Sequence, residues 1–123
     1  MHRLTRNEVA GTAGAAPNPN FTGPVAMATV HESQPAVPVR VLVVAFPDGA
    51  RTHWHTHAGG QVLHVIEGRG RTQSRGGPVV ELAAGDVVSV PAGEEHWHGA
   101  AEGASMSHLA VSLGTTGWGD PPD

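Results

Sequence analysis

Histidine is the residue type with the most chemistry to offer in this chain, and its spacing is unusual. Seven of the nine histidines lie between residues 53 and 108. The stretch HWHTHAGGQ places His53, His55 and His57 at alternate positions and ends on Gln61. Because side chains alternate across a strand, these three imidazoles would share one face. The stretch is either half of a metal site or only a histidine-rich strand.

A second pair of histidines lies far along the chain, in the run HWHG. Equal parity puts His96 and His98 on one face of a strand. Close histidines on one strand, joined by a remote histidine, are typical of a transition-metal site, and imidazole suits Mn, Fe, Co, Ni, Cu or Zn. The sequence therefore predicts a divalent transition metal as cofactor.

The residue types that the chain lacks narrow the chemistry further. The chain has no cysteine, which excludes thiol catalysis and thiolate metal sites, and no lysine, which excludes a lysine Schiff base. Neither a Walker loop nor a GxGxxG dinucleotide fingerprint occurs. Histidine, carboxylates, hydroxyls and arginine remain to carry any reaction.

Short valine-rich runs separated by Gly, Pro and Asp predict an all-β fold, a sandwich or a barrel. A turn is expected at EGRG, residues 67–70. Residues 1–20 are interpreted as an irregular N-terminal arm with one edge strand at 2–6, residues 21–113 as the single domain, and residues 114–123 as a loose tail. The predicted strands cover residues 25–32, 38–46, 51–57, 61–67, 69–74, 79–82, 86–90, 96–100 and 105–113.

Charge and hydropathy suggest which partners to expect. The net charge of −4 gives no electrostatic reason for a nucleic-acid partner. The chain has no apolar run long enough to span a bilayer and no apolar signal-peptide core, so we expect a cytoplasmic protein with a small-molecule substrate. The apolar VLVVAF strand and the N-terminal arm predict a homodimer or a higher homo-oligomer.

Two runs of sequence carry a family resemblance. From Gly49 the chain reads GARTHWHTHAGGQVLHVIEGRG, and from Gly85 it reads GDVVSVPAGEEHWHG. These runs resemble the two motifs of the cupin superfamily, with every spacing kept. The resemblance implies a single cupin jelly-roll β-barrel with a metal in its mouth. The motif positions fall on Gly49, His55, His57, residue 61 and Gly68, and on Gly85, Pro91, Gly93, His96 and residue 100.

Two positions depart from the cupin pattern: Gln61 stands where the motif has Glu, and Ala100 where it has Asn. The glutamine points to a subgroup. The chain is similar to the small single-domain manganese-binding cupins that include bacterial hydroxynitrile lyases, in the runs GARTxWHTHxxGQ, GDVVxxPxGExHWHGA and MxHLA. This resemblance runs from about Phe21 to Val111. It implies Mn²⁺, with Fe²⁺, Co²⁺, Ni²⁺ or Zn²⁺ also compatible with the ligands. The implied metal ligands are His55, His57, Gln61 and His96, and the implied catalytic pocket residues are His98 and His108.

The glutamine also has a physical consequence. Three imidazoles and an amide are all neutral, so a divalent ion would keep its full charge and favour an anionic ligand or a polarised carbonyl. The functional hypothesis is a Mn(II) lyase of hydroxynitrile-lyase type, which acts on small aldehydes or cyanohydrins by Lewis-acid and histidine-base catalysis. The alternatives are a cupin dioxygenase, a sugar-modifying or polyketide-modifying cupin, and a non-enzymatic, metal-dependent ligand-binding module.

Several residues keep a second interpretation. Gln61 could face solvent, His98 could be structural, and His53 could line the substrate pocket or lie on the surface. Trp54 and Trp97 alternate with the ligands and should point away from them. Leu42, Val44 and Phe46 share one face of an apolar strand, which predicts core packing. The resemblance adds Leu42 and Val44 to the pocket wall, and Arg40 shares their parity and is expected at the mouth.

Overall fold

The computed structural model describes residues 5–15, 19–32 and 38–123, and these form one short helix and twelve strands. The prediction of an all-β fold is confirmed. The elements are α1 (Arg6–Thr12), β1 (Gly14–Ala15), β2 (Phe21–Thr22), β3 (Ala26–Glu32), β4 (Val39–Phe46), β5 (Arg51–Thr52), β6 (His55–His57), β7 (Gln61–Ser74), β8 (Val79–Ala83), β9 (Val87–Val90), β10 (His96–Ala100), β11 (Met106–Leu113) and β12 (Thr116–Trp118).

The described strands pair in antiparallel fashion throughout, and their order folds the sheet into a jelly-roll barrel. The main path runs β1-β3-β4-β11-β7-β10-β5-β2. Strand β6 pairs with both β10 and β12, while β8 and β9 pair with β7. Strands β4, β7 and β11 therefore meet on one side, and β6 and β10 close on the other.

Strand β7 is one continuous strand, so the turn predicted at residues 67–70 is wrong. Its first half pairs with β11 and β9, and its second half pairs with β10 and β8. The register to β11 shifts between Ser107 and His108, next to Gly68, whose φ is +83°. A glycine and a bulge bend a strand without ending it, which lets β7 cross from one side of the barrel to the other.

Gly68 gives the first testable prediction. Gly68→Ala is expected to lower the free energy of unfolding by more than about 2 kcal/mol, because φ is positive and a Cβ would overlap the Ser105 carbonyl oxygen. Gly76 has the same positive φ, +82°, but a Cβ there meets nothing. Urea unfolding of Gly68→Ala and Gly76→Ala should therefore differ, and equal losses would contradict this explanation.

The core lies between the two sides of the barrel. Phe46, Leu63 and Met106 are each 1% exposed and belong to one apolar cluster. Trp97 is 2% exposed, and its Nε1 donates to the Gln73 side-chain oxygen at 2.9 Å. Trp54 is buried under the Arg75 guanidinium, 4.4 Å from its ring centroid. Neither tryptophan lines the cavity described below; for Trp97, on β10, this agrees with its strand parity.

The two ends of the chain differ from the sequence interpretation. Residues 6–12, taken as irregular, form α1, because the Thr5 hydroxyl caps the helix by accepting from the Glu8 amide at 3.1 Å. Most of the proposed edge strand at residues 2–6 lies outside the described residues. The tail is not loose, because β12 pairs with β6. In the part of the chain that the structure describes, no helix is long and apolar enough to cross a membrane.

Candidate metal centre

Four histidines and a glutamine converge on a cavity of about 150 Å³ inside the barrel. Two of the histidines come from β6, where His55 is 2% exposed and His57 4%. Gln61 opens β7, after a tight turn in which Gly60 has a φ of +92°. A Cβ at Gly60 would overlap the Val90 carbonyl oxygen, so the turn requires glycine. The converging side chains that line the cavity are His55, His57, Gln61, His98 and His108.

Strand pairing brings the remote histidine to this group. In the antiparallel register of β10 and β6, His96 lies directly opposite His55. Their ring centroids are 4.3 Å apart, and the His57 centroid is 5.6 Å from that of His96. His96 is 1% exposed. The register thus brings the remote His96 next to His55 and His57, as the predicted metal site requires.

The outer nitrogen of each ring in this group has a fixed partner. Nδ1 of His55 lies 2.8 Å from the His53 carbonyl oxygen, and Nδ1 of His57 lies 3.1 Å from the Thr116 hydroxyl. A carbonyl oxygen accepts hydrogen bonds only, so Nδ1 of His55 carries the proton and Nε2 keeps its lone pair. Nε2 of His57 is buried without a hydrogen-bond partner. Metal-binding histidines are held in this way, by a second partner on the far nitrogen.

His96 gives the strongest indication that a cation belongs here. Its Nδ1 lies 3.1 Å from the Glu94 carbonyl oxygen, and its Nε2 lies 3.0 Å from Oε1 of Gln61. As the Gln61 amide is placed, with its Nε2 donating to the Ser112 hydroxyl at 3.0 Å, both neighbours of His96 are acceptors. A neutral imidazole has one N–H, so one of the two contacts must join two acceptors. A metal ion shared by Nε2 and Oε1 would remove that conflict, and the donor set fits one.

The other two histidines form a buried pair beside the first group. Nε2 of His108 lies 2.9 Å from Nδ1 of His98, and the two residues are 1% and 4% exposed. Nε2 of His98 is buried and has no hydrogen-bond partner. The ligand atoms of His55, His96 and His98 all lie within 4.8 Å of one another, so these three could also hold a metal ion. The sequence predicts His98 in the pocket but not as a member of this trio.

Burial keeps these imidazoles neutral. Desolvation, with the charge of His96 second, lowers the pKa of His55 to about 3 and that of His57 to about 4. Desolvation also lowers the pKa of His108 to about 4 and those of His96 and His98. Neutral rings are the form that binds a metal and the form that accepts a proton.

These pKa shifts predict how the metal-free protein responds to pH. The unfolded chain binds protons on His55, His57 and His108 near pH 6.5, whereas the folded chain does so only near pH 3 to 4. Unfolding therefore takes up protons between those limits, and stability falls as pH falls. Between pH 7.5 and 5.0, the free energy of unfolding should fall by more than about 2 kcal/mol, the most that one histidine can supply. A pH-independent urea midpoint in chelator-treated protein would contradict this.

The remaining predicted positions divide into two groups. Leu42 and Val44 line the cavity, at 8% and 4% exposure, whereas His53 does not line it. The strand begins only at His55, so its alternation does not extend back to His53. His64, interpreted as a packing or interface residue, is exposed on β7.

Several cavity residues were missed from sequence, among them Trp118, Thr116 and Ser112. Trp118 lies against His55 with ring centroids 4.7 Å apart, Thr116 contacts Nδ1 of His57, and Ser112 accepts from Gln61. The first two lie on β12, in the segment interpreted as loose. Thr116 and Trp118 lie two positions apart in TGW, so their side chains share one face of a strand. Three residues are too few to predict that strand from sequence.

Comparison with known proteins identifies the family. The family model described as a cupin domain matches residues 42–112, more than half of the chain. The chain belongs to the cupin family. This cupin is 44% identical to the (R)-mandelonitrile lyase of Granulicella tundricola over 99 residues. The alignment covers 80% of this chain and 76% of that protein.

Two further relatives extend the comparison. The crystal structure of a cupin-like protein from Thermotoga maritima has a TM-score of 0.84 and 37% identity, and the match covers 89% of this cupin and 86% of that chain. The acireductone dioxygenase of Gluconobacter oxydans is 37% identical over 72 residues, 52% of this cupin and 36% of that protein. The recognition of a cupin jelly-roll barrel from sequence is confirmed.

Proposed function

We propose that this cupin is a metal-dependent carbon–carbon lyase of hydroxynitrile-lyase type, acting on small cyanohydrins and their aldehydes. The observation that carries the proposal is the buried His98–His108 pair, 2.9 Å apart, beside a donor set without a carboxylate. The 44% identity to a mandelonitrile lyase supports it. Both halves of a Lewis-acid and base reaction would then be within one small cavity.

His55, His57, Gln61 and His96 would hold the ion, with His98 as the nearest further imidazole. We propose Mn²⁺, although these ligands also suit Fe²⁺, Co²⁺, Ni²⁺ or Zn²⁺. When bound, a divalent ion supplies Lewis-acid stabilisation of negative charge on a substrate oxygen. The Ser112 hydroxyl orients the Gln61 amide, and the Thr116 hydroxyl orients the His57 ring.

His108 is the proposed base. It is neutral because burial lowers its pKa, and it takes the proton of the cyanohydrin hydroxyl. The bond between the carbinol carbon and the nitrile carbon then breaks. Its electron pair leaves with cyanide while the carbon–oxygen double bond forms. His98, hydrogen-bonded to His108, holds that ring in place and offers the proton a route to cyanide.

Addition of cyanide to benzaldehyde by manganese-loaded protein tests the proposal, with chiral chromatography of the nitrile product as readout. We expect a rate above the uncatalysed background and an enantiomeric excess, both lost after chelation. Racemic product at the background rate, from protein shown to contain metal, would contradict a lyase.

A dioxygenase is the second candidate, favoured by the 37% identity to an acireductone dioxygenase. It predicts oxygen consumption by iron-loaded protein with an acireductone or a diketone. A neutral ligand set makes oxidation of the metal harder, so we expect no uptake above a metal-free control.

We also propose a homodimer, because Val62, Ile66 and Val87 are exposed by 39%, 47% and 64% on neighbouring strands β7 and β9. Light scattering at micromolar concentration should give twice 12.6 kDa. A cytoplasmic location stays a prediction from the sequence.

A further inference from the structure

The charge of the cavity wall is one-sided. Among the described residues that line the cavity, Arg40 alone carries a permanent charge, and no aspartate or glutamate lines it. The proposed metal ligands are neutral, so a bound divalent ion adds its full positive charge. A cavity with this wall favours an anion over a neutral molecule of the same shape.

Arg40 is placed by the strand that also forms the apolar wall. It lies on β4 with the same parity as Leu42 and Val44, and its backbone is in register with Ser112 of β11. Its Nε is buried and has no hydrogen-bond partner. Buried donors are normally satisfied, so an unpartnered one in a cavity wall indicates a missing acceptor.

Two other arginines show the contrast. Arg71 lies 3.8 Å from Glu102, and Arg75 lies 3.2 Å from Glu95. Arg40 forms no ion pair with any side chain that the structure describes.

The size of the cavity limits the anion. A cavity of about 150 Å³ admits a molecule of roughly the size of benzene. Leu42, Val44 and Phe21 give it an apolar wall. A guanidinium binds a carboxylate through two parallel hydrogen bonds, whereas a single amide or hydroxyl cannot match that geometry. The ligand that fits is small, apolar in its body and carries one carboxylate.

We propose that Arg40 is the specificity-determining residue of this pocket and binds the carboxylate of a small organic acid. The substrate class is then aldehydes or ketones that carry a carboxylate, such as 2-oxo acids, with the corresponding cyanohydrins. The carbonyl part of this assignment rests on the proposed lyase function, whereas the carboxylate part rests on Arg40 and the cavity.

Titration calorimetry with benzoate and benzamide, which share shape and size but not charge, tests the proposal on manganese-loaded protein. We expect the wild type to bind benzoate at least about tenfold more tightly than benzamide. Arg40→Gln should weaken the binding of benzoate about tenfold and leave the affinity for benzamide unchanged. Arg40→Lys, which keeps the charge without the fork, should retain part of the preference.

Two controls separate a local effect from a general one. Arg69→Gln removes the same charge from an exposed position of β7 and should leave both affinities unchanged. Glu32 lies on β3 in backbone register with Arg40. The Glu32→Gln variant should keep the preference for benzoate. Metal content and thermal midpoint, measured on each variant, identify any variant that has lost its fold or its metal.

The proposal is overturned if a folded, metal-loaded Arg40→Gln variant keeps the full preference for benzoate, because the metal alone would then select the anion. Loss of the preference in Arg69→Gln or in Glu32→Gln would overturn it too. The readout is binding, so a failed lyase assay with the Arg40-dependent preference kept would refute the proposed reaction and not the carboxylate site.

Discussion

His108→Ala is expected to lower the rate of cyanide addition by about 10² to 10⁴-fold, the usual contribution of a general base. His108 is 1% exposed, neutral at working pH and hydrogen-bonded to His98 at 2.9 Å, so no other imidazole replaces it in that position. The metal content should not change. Single-turnover rates beside elemental analysis of the same sample measure both quantities.

Two further variants serve as matched controls for His108→Ala: the conservative substitution His108→Gln, and His64→Ala at an exposed histidine. Glutamine keeps a polar side chain in the cavity but accepts no proton, so its rate should fall as far as that of the alanine variant. His64 is exposed on β7 and its loss should change nothing. A His108→Gln variant with wild-type rate would remove His108 from the mechanism.

His57→Ala is expected to weaken metal binding on the order of 100-fold. If four ligands share ~10–16 kcal/mol, one ligand supplies about 3 kcal/mol. Nε2 of His57 is buried without a partner, and its Nδ1 is fixed by Thr116, so the ring is already oriented to bind. Competition of each variant against a chelator of known affinity gives the ratio of dissociation constants.

The run HWHTH supplies its own control for this experiment. His53→Ala removes a ring from the same run but keeps the backbone carbonyl that holds Nδ1 of His55, so its metal affinity should equal that of the wild type. His98→Ala decides between two ligand sets, because His98 groups with His55 and His96 in space. Loss of metal in His98→Ala, with His57→Ala unaffected, would show that the ligand set taken from the motif is wrong.

The sequence was informative where local chemistry repeats at fixed spacing. Alternation put His55 and His57 on one face, and the resemblance to the cupin motifs added Gln61 and His96 across some 40 residues. The structure brings these side chains together through the pairing of His96 with His55. Their roles as ligands stay a prediction until metal is measured.

The sequence was uninformative where distant pairing decides the structure. Nothing local in the tail signals that Trp118 packs on His55 or that Thr116 holds His57, since both follow from the pairing of β12 with β6. In the same way, EGRG has the composition of a turn, yet Gly68 bends β7 instead of ending it because β10 and β8 continue the pairing. Tertiary pairing overrode the local preference in both places.

Elemental analysis of tag-free wild-type protein tests most directly whether the buried imidazoles and Gln61 hold a metal ion. We predict a nearly stoichiometric transition metal, with manganese the most abundant, that is lost on chelation and restored by added Mn²⁺. Protein that is purified without metal and also fails to take up added Mn²⁺, Fe²⁺ or Zn²⁺ would contradict a metal site, and the proposed lyase reaction would fall with it.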